Sequence, residues 1–282
     1  MVAVTRLQLP AALIGVLLAS LLLSLVAFSS ARTADATHKS GNTFQFGCKF
    51  VKTDRIDPFK DELGITHVHR HEVFGYRNLQ NNSTVTDLLN GANSCGPSFV
   101  KAAYWNPLNT DAGTRNMPKR ISVYYSGWGD VNELVHIPQG AKLYGTDEDF
   151  RCGSGPARQT PPYGCKADEF RIRVHFPECW SGNGVHPREF VEANSGGECA
   201  SGYEPIPRIR VAVHYHNSGG ILKEPLRVSA GADRMEDWSF MHADIWEVNR
   251  QAGFRDAIER CVFKSQNTGE PHMCSPPASN QL

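Results

Sequence analysis

Alternating apolar and polar positions dominate the chain between about residues 44 and 216. In "FRIRVHF" apolar side chains recur at every second position: Phe170, Ile172, Val174 and Phe176. "RIRVAVHYH" repeats this alternation from Arg208 to His216, and "TFQFGCKFV", "RISVYYSGW" and "AKLYGT" are rich in β-branched and aromatic residues. Strands with one apolar face are typical of antiparallel sheets. We therefore predict a set of half-buried antiparallel strands.

Helical periodicity is scarce. "STVTDLLNGA" predicts a short helix that begins after a Ser83 or Thr84 cap and ends at Gly91. In "DIWEVNRQAGFRDAIERCVF" apolar residues from Trp246 onward fall near helical spacing, which predicts two short helices separated at Gly253. Together these elements predict a mainly β fold, an antiparallel β-sandwich or distorted jelly roll with long loops, a C-terminal helix and disulfides.

The N-terminus has the layout of a secretory signal. Arg6 is the only charge before an apolar run from Leu9 to Phe28, and small residues follow, with cleavage expected after Ala31 or Ala36. The run is long enough that an uncleaved signal anchor is the alternative. We predict a signal peptide or signal anchor at 1–31, a polar tether at 32–43 and a single β-rich domain at 44–282. The domain is expected to be secreted or on the extracellular face of the membrane, with membrane contact only through an uncleaved N-terminal segment.

Cysteine usage agrees with export. An even number of cysteines, eight, favours disulfides in an oxidising compartment. Near-neighbour pairing predicts four bridges: Cys48–Cys95, Cys152–Cys165, Cys179–Cys199 and Cys261–Cys274. No Cys-x-x-Cys occurs, which excludes a zinc ribbon. Twenty-nine basic residues balance 29 acidic ones, so no nucleic-acid partner is expected.

The stretch "THVHRHEVFG" places His67, His69 and His71 at every second position. On a strand the three imidazoles would share one face, with Arg70 and Glu72 on the other. Neighbouring histidines of such a row can share one metal ion, line a cleft or decorate a solvated strand. The spacing alone leaves all three open.

The order of several motifs resembles the secreted family catalogued as domain of unknown function nineteen-ninety-six. These motifs are "HRHEVFG", "AAYWNP", "ISVYY", "FRIRVHFPECW", "PIPRIRVAVHY" and "HADIWEVN". The family occurs in fungi and actinobacteria, sometimes beside a carbohydrate-binding WSC domain. The resemblance covers about Phe44 to Cys261, and its most specific pieces are the "FPxCW" tag at Phe176 to Trp180 and the "HAD" at His242 to Asp244.

The family pattern His-x-His-Asp-Phe-Phe-Gly corresponds to "HRHEVFG" in this chain. His69 and His71 match it, Glu72 replaces the shorter acid, and His67 is additional. The resemblance implies a site near these residues but no particular reaction.

Two chemistries and one structural alternative fit the site. His69, His71 and His242 can bind one divalent transition metal, zinc or copper, with Asp244 as a further ligand or as a group that orients a histidine. Alternatively Glu72 and Asp244 act as a general acid/base pair on a glycosidic bond, with His242 among the catalytic residues. The third possibility is a polar rim without a metal.

Trp105, in "YWNP" before a proline, is predicted as a substrate-binding platform for a sugar ring, although tryptophan is more often a core residue. We expect a secreted, disulfide-bonded domain that acts on extracellular or cell-wall polysaccharide with hydrolase-like chemistry, with or without a metal. The alternative is a non-catalytic glycan-binding or cell-surface structural module. Whether the histidine cluster is open in a cleft or sealed beneath loops separates the two.

Overall fold

The computed structural model describes residues 43–217, 222–231, 234–249, 252–263 and the backbone of 273–274. The predicted signal peptide or anchor and all but the last residue of the predicted tether lie outside these residues. Within the described part, no helix is both long and apolar enough to cross a membrane.

Seventeen strands and two short α-helices make up the described fold. The strands are β1 (Thr43–Arg55), β2 (Arg70–Gly75), β3 (Ala102–Pro107), β4 (Asn109–Asp111), β5 (Thr114–Arg115), β6 (Met117–Ser126), β7 (Ala141–Gly145), β8 (Asp147–Cys152), β9 (Glu169–His175), β10 (Cys179–Trp180), β11 (Phe190–Val191), β12 (Glu204–Pro205), β13 (Arg208–His216), β14 (Leu226–Ala230), β15 (Arg234–Asp237), β16 (Ala243–Glu247) and β17 (Met273–Cys274). The helices are α1 (Val85–Asn90) and α2 (Ala252–Ile258), which continues into a π-helical turn, Glu259–Phe263. Single 3-10 turns span Pro187–Glu189 and Trp238–Phe240.

One large sheet dominates, with the strand order β7-β16-β3-β2-β1-β6-β13-β9-β8 and β17 added beside β1. Smaller sheets have the orders β11-β10-β12 and β15-β14-β4-β5. Within the described strands, every pairing is antiparallel except that of β17 with β1. The predicted mainly β, antiparallel fold is confirmed.

The large sheet curls so that its two halves face each other across the main core. The Tyr125 hydroxyl on β6 donates a hydrogen bond to Glu247 on β16. The Tyr215 hydroxyl on β13 donates to Glu72 on β2 at 2.8 Å. Gly145 at the end of β7 packs directly against a β9 carbonyl, so the ends of the sheet approach each other. The result is the sandwich-like arrangement that the alternating strands predict.

A second, smaller core covers the outer face of β2, β3 and β16. Residues 56–65 return across this face, and the Phe59 ring packs on Trp105 with 4.6 Å between ring centroids. The fully buried or nearly buried members are Ile56, Phe59, Val73, Tyr76, Leu79, Leu88, Ala103, Trp105, Trp246 and Val248. The segment that builds this core also approaches the histidines.

The three predicted helices have different outcomes. The second of the two C-terminal helices is present as α2, with Gly253 inside it rather than at its boundary. Helix α1 is confirmed: Thr84 caps it with a capping box to Asp87, and Gly91 follows its last residue. The first C-terminal helix is wrong, because Trp246 lies in β16, whose neighbours are β3 and β7. Alternate residues of this strand enter the main core and the second core, and that pairing overrides the weak helical spacing.

Three of the four predicted disulfides are present: Cys48–Cys95, Cys152–Cys165 and Cys179–Cys199. The fourth pair, Cys261–Cys274, includes a side chain outside the described part of the structure and stays a prediction.

Candidate metal centre

Two strands that run in the same direction bring distant histidines to the same end of neighbouring strands. β2 and β16 both pair antiparallel with β3, so they run parallel to each other on either side of it. His71 lies opposite Pro107, and the β16 register, continued two residues before Asp244, brings His242 to the same level. His69 directly precedes β2 and shares the face of His71. Residues 171 positions apart therefore meet above the end of β3.

The three imidazoles form a tight and buried cluster. One nitrogen from each of His69, His71 and His242 lies within 4.8 Å of the other two. The Nε2 atoms of His71 and His242 are 3.4 Å apart. Relative exposure is 8 % for His69, 0 % for His71 and 8 % for His242. The cluster is thus sealed rather than open in a cleft.

Main-chain carbonyls fix the orientation of two of the rings. His71 Nδ1 lies 2.7 Å from the Ile56 carbonyl oxygen, and His242 Nδ1 lies 3.2 Å from that of Phe240. A carbonyl only accepts, so each Nδ1 carries the proton and each neutral ring keeps a lone pair on Nε2. The lone pairs of His71 and His242 therefore converge, and His69 Nε2 is buried without a hydrogen-bond partner among the described residues.

Asp244 completes the polar surroundings of the cluster. Its Oδ2 lies 3.6 Å from His242 Nε2, and neither carboxyl oxygen has a hydrogen-bond partner within the described chain. Burial, together with the nearby Asp57, raises the pKa of Asp244 well above its ordinary value. The Tyr144 ring, centred 5.1 Å from that of His242, lines the same side. An unpartnered buried carboxyl beside His242 has the donor type of a fourth ligand, whereas the group of mutually close ligand atoms consists of the three imidazoles.

Burial keeps the histidines neutral. It lowers the pKa of His69 to about 4 and that of His242 to about 3. Burial, with neighbouring His69 and His242, holds the pKa of His71 well below its usual range. Neutral imidazole is the form that binds metal ions, so the cluster is in the ligating state at neutral pH. The arrangement can hold one metal ion.

His67 and Glu72, from the same stretch as His69 and His71, lie outside the cluster. His67 is exposed, as expected for a residue without a family counterpart. Glu72 points into the main core, where the Tyr215 hydroxyl and Asn106 donate to it, because neighbouring strand residues face opposite sides. The sheet separates Glu72 from Asp244, so the predicted acid/base pair is wrong.

The predicted sugar platform is also wrong. Trp105 is fully buried in the second core, beneath Phe59. Its ring has no exposed face for a sugar, because residues 56–65 cover that side of β3.

Sequence reasoning missed the groups that hold the rings. The Ile56 and Phe240 carbonyls act through main-chain oxygens, which no side-chain motif marks. Tyr144 sits in "AKLYGT", a run whose alternation predicts a strand but not its neighbour. Only the pairing of β7 with β16 brings Tyr144 beside the "HAD" motif.

The fold and the site define a class: a disulfide-bonded, mainly β domain with a buried three-histidine cluster between a returning loop and the outer face of its sheet. The family model described as "Domain of unknown function (DUF1996)" matches residues 57–245, more than half of the chain. The chain belongs to this family, as the motifs led us to expect. The matched region includes all three histidines and Asp244. No curated protein and no solved structure matches the chain.

Proposed function

We propose that the chain is a secreted or surface-displayed metal-binding domain that works on extracellular or cell-wall polysaccharide. One zinc or copper ion is held by His69, His71 and His242. Imidazole nitrogen suits both metals, and the cluster contains no thiolate that would favour softer ions.

The distance between His71 Nε2 and His242 Nε2 carries this proposal. Two nitrogens bound to a tetrahedral ion at about 2.0–2.1 Å lie about 3.3–3.4 Å apart. The observed separation is 3.4 Å. With both protons on Nδ1, two lone pairs would repel each other at this distance, and a cation between them replaces the repulsion with two bonds.

The burial of the centre supports a non-catalytic role for the ion. Structural zinc sites are closed by four protein ligands, whereas catalytic sites keep one position for water or substrate. Asp244 can fill the fourth position, since it lies 3.6 Å from His242 Nε2 and has no other hydrogen-bond partner in the described residues. The domain then works as a glycan-binding or cell-surface structural module whose ion joins β2 and β16.

A second candidate is metal-assisted hydrolysis of polysaccharide. It is favoured by the same Asp244, whose unpartnered carboxylate can act as a general base on a metal-bound water if it stays outside the coordination sphere. His242 and Asp244 would then be the catalytic residues, and Glu72 would have no part.

The test compares the mature protein loaded with zinc, loaded with copper, or treated with a chelator. We expect chelation to lower the midpoint of thermal unfolding. We also expect retention on insoluble wall polysaccharide without release of reducing sugar ends. Chelator-sensitive release that Asp244→Asn abolishes would replace the structural role with hydrolysis. Failure of both metals to bind would contradict the centre itself.

A further inference from the structure

A row of basic and imidazole side chains crosses five neighbouring strands on the half of the main sheet that does not carry the metal centre. The register places Lys49 opposite Arg120, Arg120 opposite His214, His214 opposite Arg171, and Arg171 opposite Arg151. Each of these residues adjoins a core residue in the chain, so the row lies on the outer face. His214 at its centre is covered by its neighbours, with 3 % exposure, whereas Lys49 and Arg120 are exposed. With strands about 4.8 Å apart, the row is about 19 Å long.

Further positive charge lies beside the row. Arg173 and Arg210 are on the same face, two or more positions along β9 and β13. The Arg210 guanidinium lies 4.6 Å from the centre of the Tyr124 ring and stacks on it. The net charge of the chain is zero, so this face is a local concentration of positive charge.

Acidic side chains on this face offset only part of the charge. Asp149 is bound by the Arg173 guanidinium. Glu169 accepts a hydrogen bond from His214 Nδ1 at 2.7 Å. The same carboxylate forms ion pairs with Arg171 Nε, at 3.9 Å, and with Lys119 Nζ, at 3.6 Å. Among the described residues no carboxylate forms an ion pair with Lys49, Arg120 or Arg151.

Donors on this face also lack acceptors. The Nε–H groups of Arg151, Arg171 and Arg210 are shielded and have no hydrogen-bond partner in the described part of the chain. Burial, followed by the nearby Arg173 charge, lowers the pKa of Arg151 and of Arg210. Like charges that lie opposite each other destabilise a sheet. An anion bound along the row would offset this repulsion.

We infer that this row binds an anionic polysaccharide through carboxylate or sulfate groups placed along an extended sugar chain. The planar guanidinium forms paired hydrogen bonds to such groups. The strand spacing is comparable to the length of one pyranose ring, so charged groups on successive sugars meet successive strands. The choice of a polysaccharide over other polyanions rests on the proposed function, whereas the row itself is independent of the metal.

The experiment measures binding of the full mature protein to polygalacturonate, to its neutral methyl ester, to dextran sulfate and to duplex DNA. The test variant is Lys49→Gln/Arg120→Gln, since both side chains are exposed and their loss leaves the core intact. The control, Arg188→Gln/Arg234→Gln, removes the same charge from side chains that are 82 % and 77 % exposed away from the row. Unfolding midpoints confirm that both variants are folded.

We expect the wild type to bind polygalacturonate or dextran sulfate and not the neutral ester. The row variant should weaken binding at least tenfold, and the control less than twofold. Equal weakening by the two variants, tighter binding to DNA than to either polysaccharide, or no polysaccharide binding would overturn the inference. His71→Ala should keep polysaccharide binding while losing metal. A result that contradicts polysaccharide binding by the row can therefore be told apart from a result that contradicts metal binding by the histidines.

Discussion

The orientation of the two opposed imidazoles depends on main-chain atoms rather than on side chains. Ile56 and Phe240 each contribute a carbonyl oxygen, so a substitution at either position leaves the acceptor in place. The tautomers of His71 and His242 therefore follow from the path of the loops that precede β2 and β16. This explains how the cluster can be rigid without a partner side chain for each Nδ1.

The pH dependence of stability can be tested at Glu247, which lies on the face of β16 that points into the main core, away from the histidine cluster. It is buried, and it accepts hydrogen bonds from the Tyr125 hydroxyl and from the Asn249 backbone. Burial raises its pKa above the ordinary value of 4.5. Between about pH 4.5 and the folded-state pKa, the Glu247 carboxyl is protonated in the native state and ionised in the unfolded state. The free energy of unfolding of the wild type therefore falls as pH rises through this range.

Glu247→Gln removes this titration while keeping the side-chain shape. We expect the stability of the variant relative to the wild type to increase with pH above about 4.5, by at most about 1.4 kcal/mol per pH unit. Urea unfolding at several pH values measures the difference. A difference that does not change with pH would contradict a buried, proton-retaining Glu247.

Residue periodicity predicted part of the site. The His-x-His spacing identified His69 and His71 as neighbours on one face, because side-chain alternation is a local property of a strand. The same alternation places Glu72 on the other face, and proximity in sequence to His71 was a misleading reason to join it to the site. His242 came only from the family motif, since no local pattern relates positions 171 residues apart.

At the scale of elements, Gly75 at the end of β2 has a steric role that the sequence motif does not reveal. It has φ +81°, and a Cβ there would lie 2.5 Å from the Ala102 carbonyl oxygen on β3. Gly113 has the same φ, but a Cβ added there would meet no atom within 4 Å. Both glycines are favoured by their positive φ, but only Gly75 is also required by close packing.

Gly75→Ala should therefore destabilise the protein more than Gly113→Ala does. The positive φ costs an alanine about 1–2 kcal/mol at either position, and the close contact with Ala102 adds to this at Gly75 alone. Chemical unfolding of the two variants gives the comparison. Equal losses would mean that β3 moves away without cost.

Helix α2 packs against the core through one face. Ile258 is buried, whereas Asp256 is exposed. Ile258→Ala should lower the free energy of unfolding by about 2–5 kcal/mol, and Asp256→Ala should change it by less than about 0.5 kcal/mol. Glu259 is not a suitable control because it is half-buried and pairs with His136 at 2.7 Å. Similar losses from the two substitutions would contradict this placement of α2.

Element boundaries were predictable where local signals were strong. The Thr84 cap and Gly91 bounded α1 because capping acts within a few residues. Trp246 and Trp105 were misassigned for a shared reason. Residues 56–65 cover the outer face of β3 and β16 and so bury both side chains. Nothing in the sequence of the two strands indicates that this distant segment covers them.

At the scale of the whole molecule, one curled sheet separates three regions with different chemistry. The main core lies inside the curl, the three-histidine cluster adjoins the second core on one outer half, and the basic row occupies the other outer half. Alternating strands predicted the mainly β sandwich because each strand buries one face. They did not predict which outer half would be covered, since that depends on long-range connections.

Disulfides of different span should stabilise this fold unequally. Cys48–Cys95 closes 47 residues and Cys152–Cys165 closes 13. Because a longer loop restricts the unfolded chain more, removing the first bridge should cost about 1 kcal/mol more than removing the second. Unfolding of Cys48→Ala/Cys95→Ala and of Cys152→Ala/Cys165→Ala tests this order. The reverse order would show that loop closure in the unfolded chain does not decide the relative stabilisation by the two bridges.

The metal-to-protein ratio of the purified mature chain tests the three-histidine centre most directly. After incubation with zinc or copper and removal of free ions, elemental analysis should find about one ion per chain in the wild type and in His67→Ala, because His67 lies outside the cluster. His71→Ala and His242→Ala should lose most of this metal while remaining folded. A wild-type ratio near zero for both metals, or a loss in His67→Ala equal to that in His71→Ala, would contradict the account.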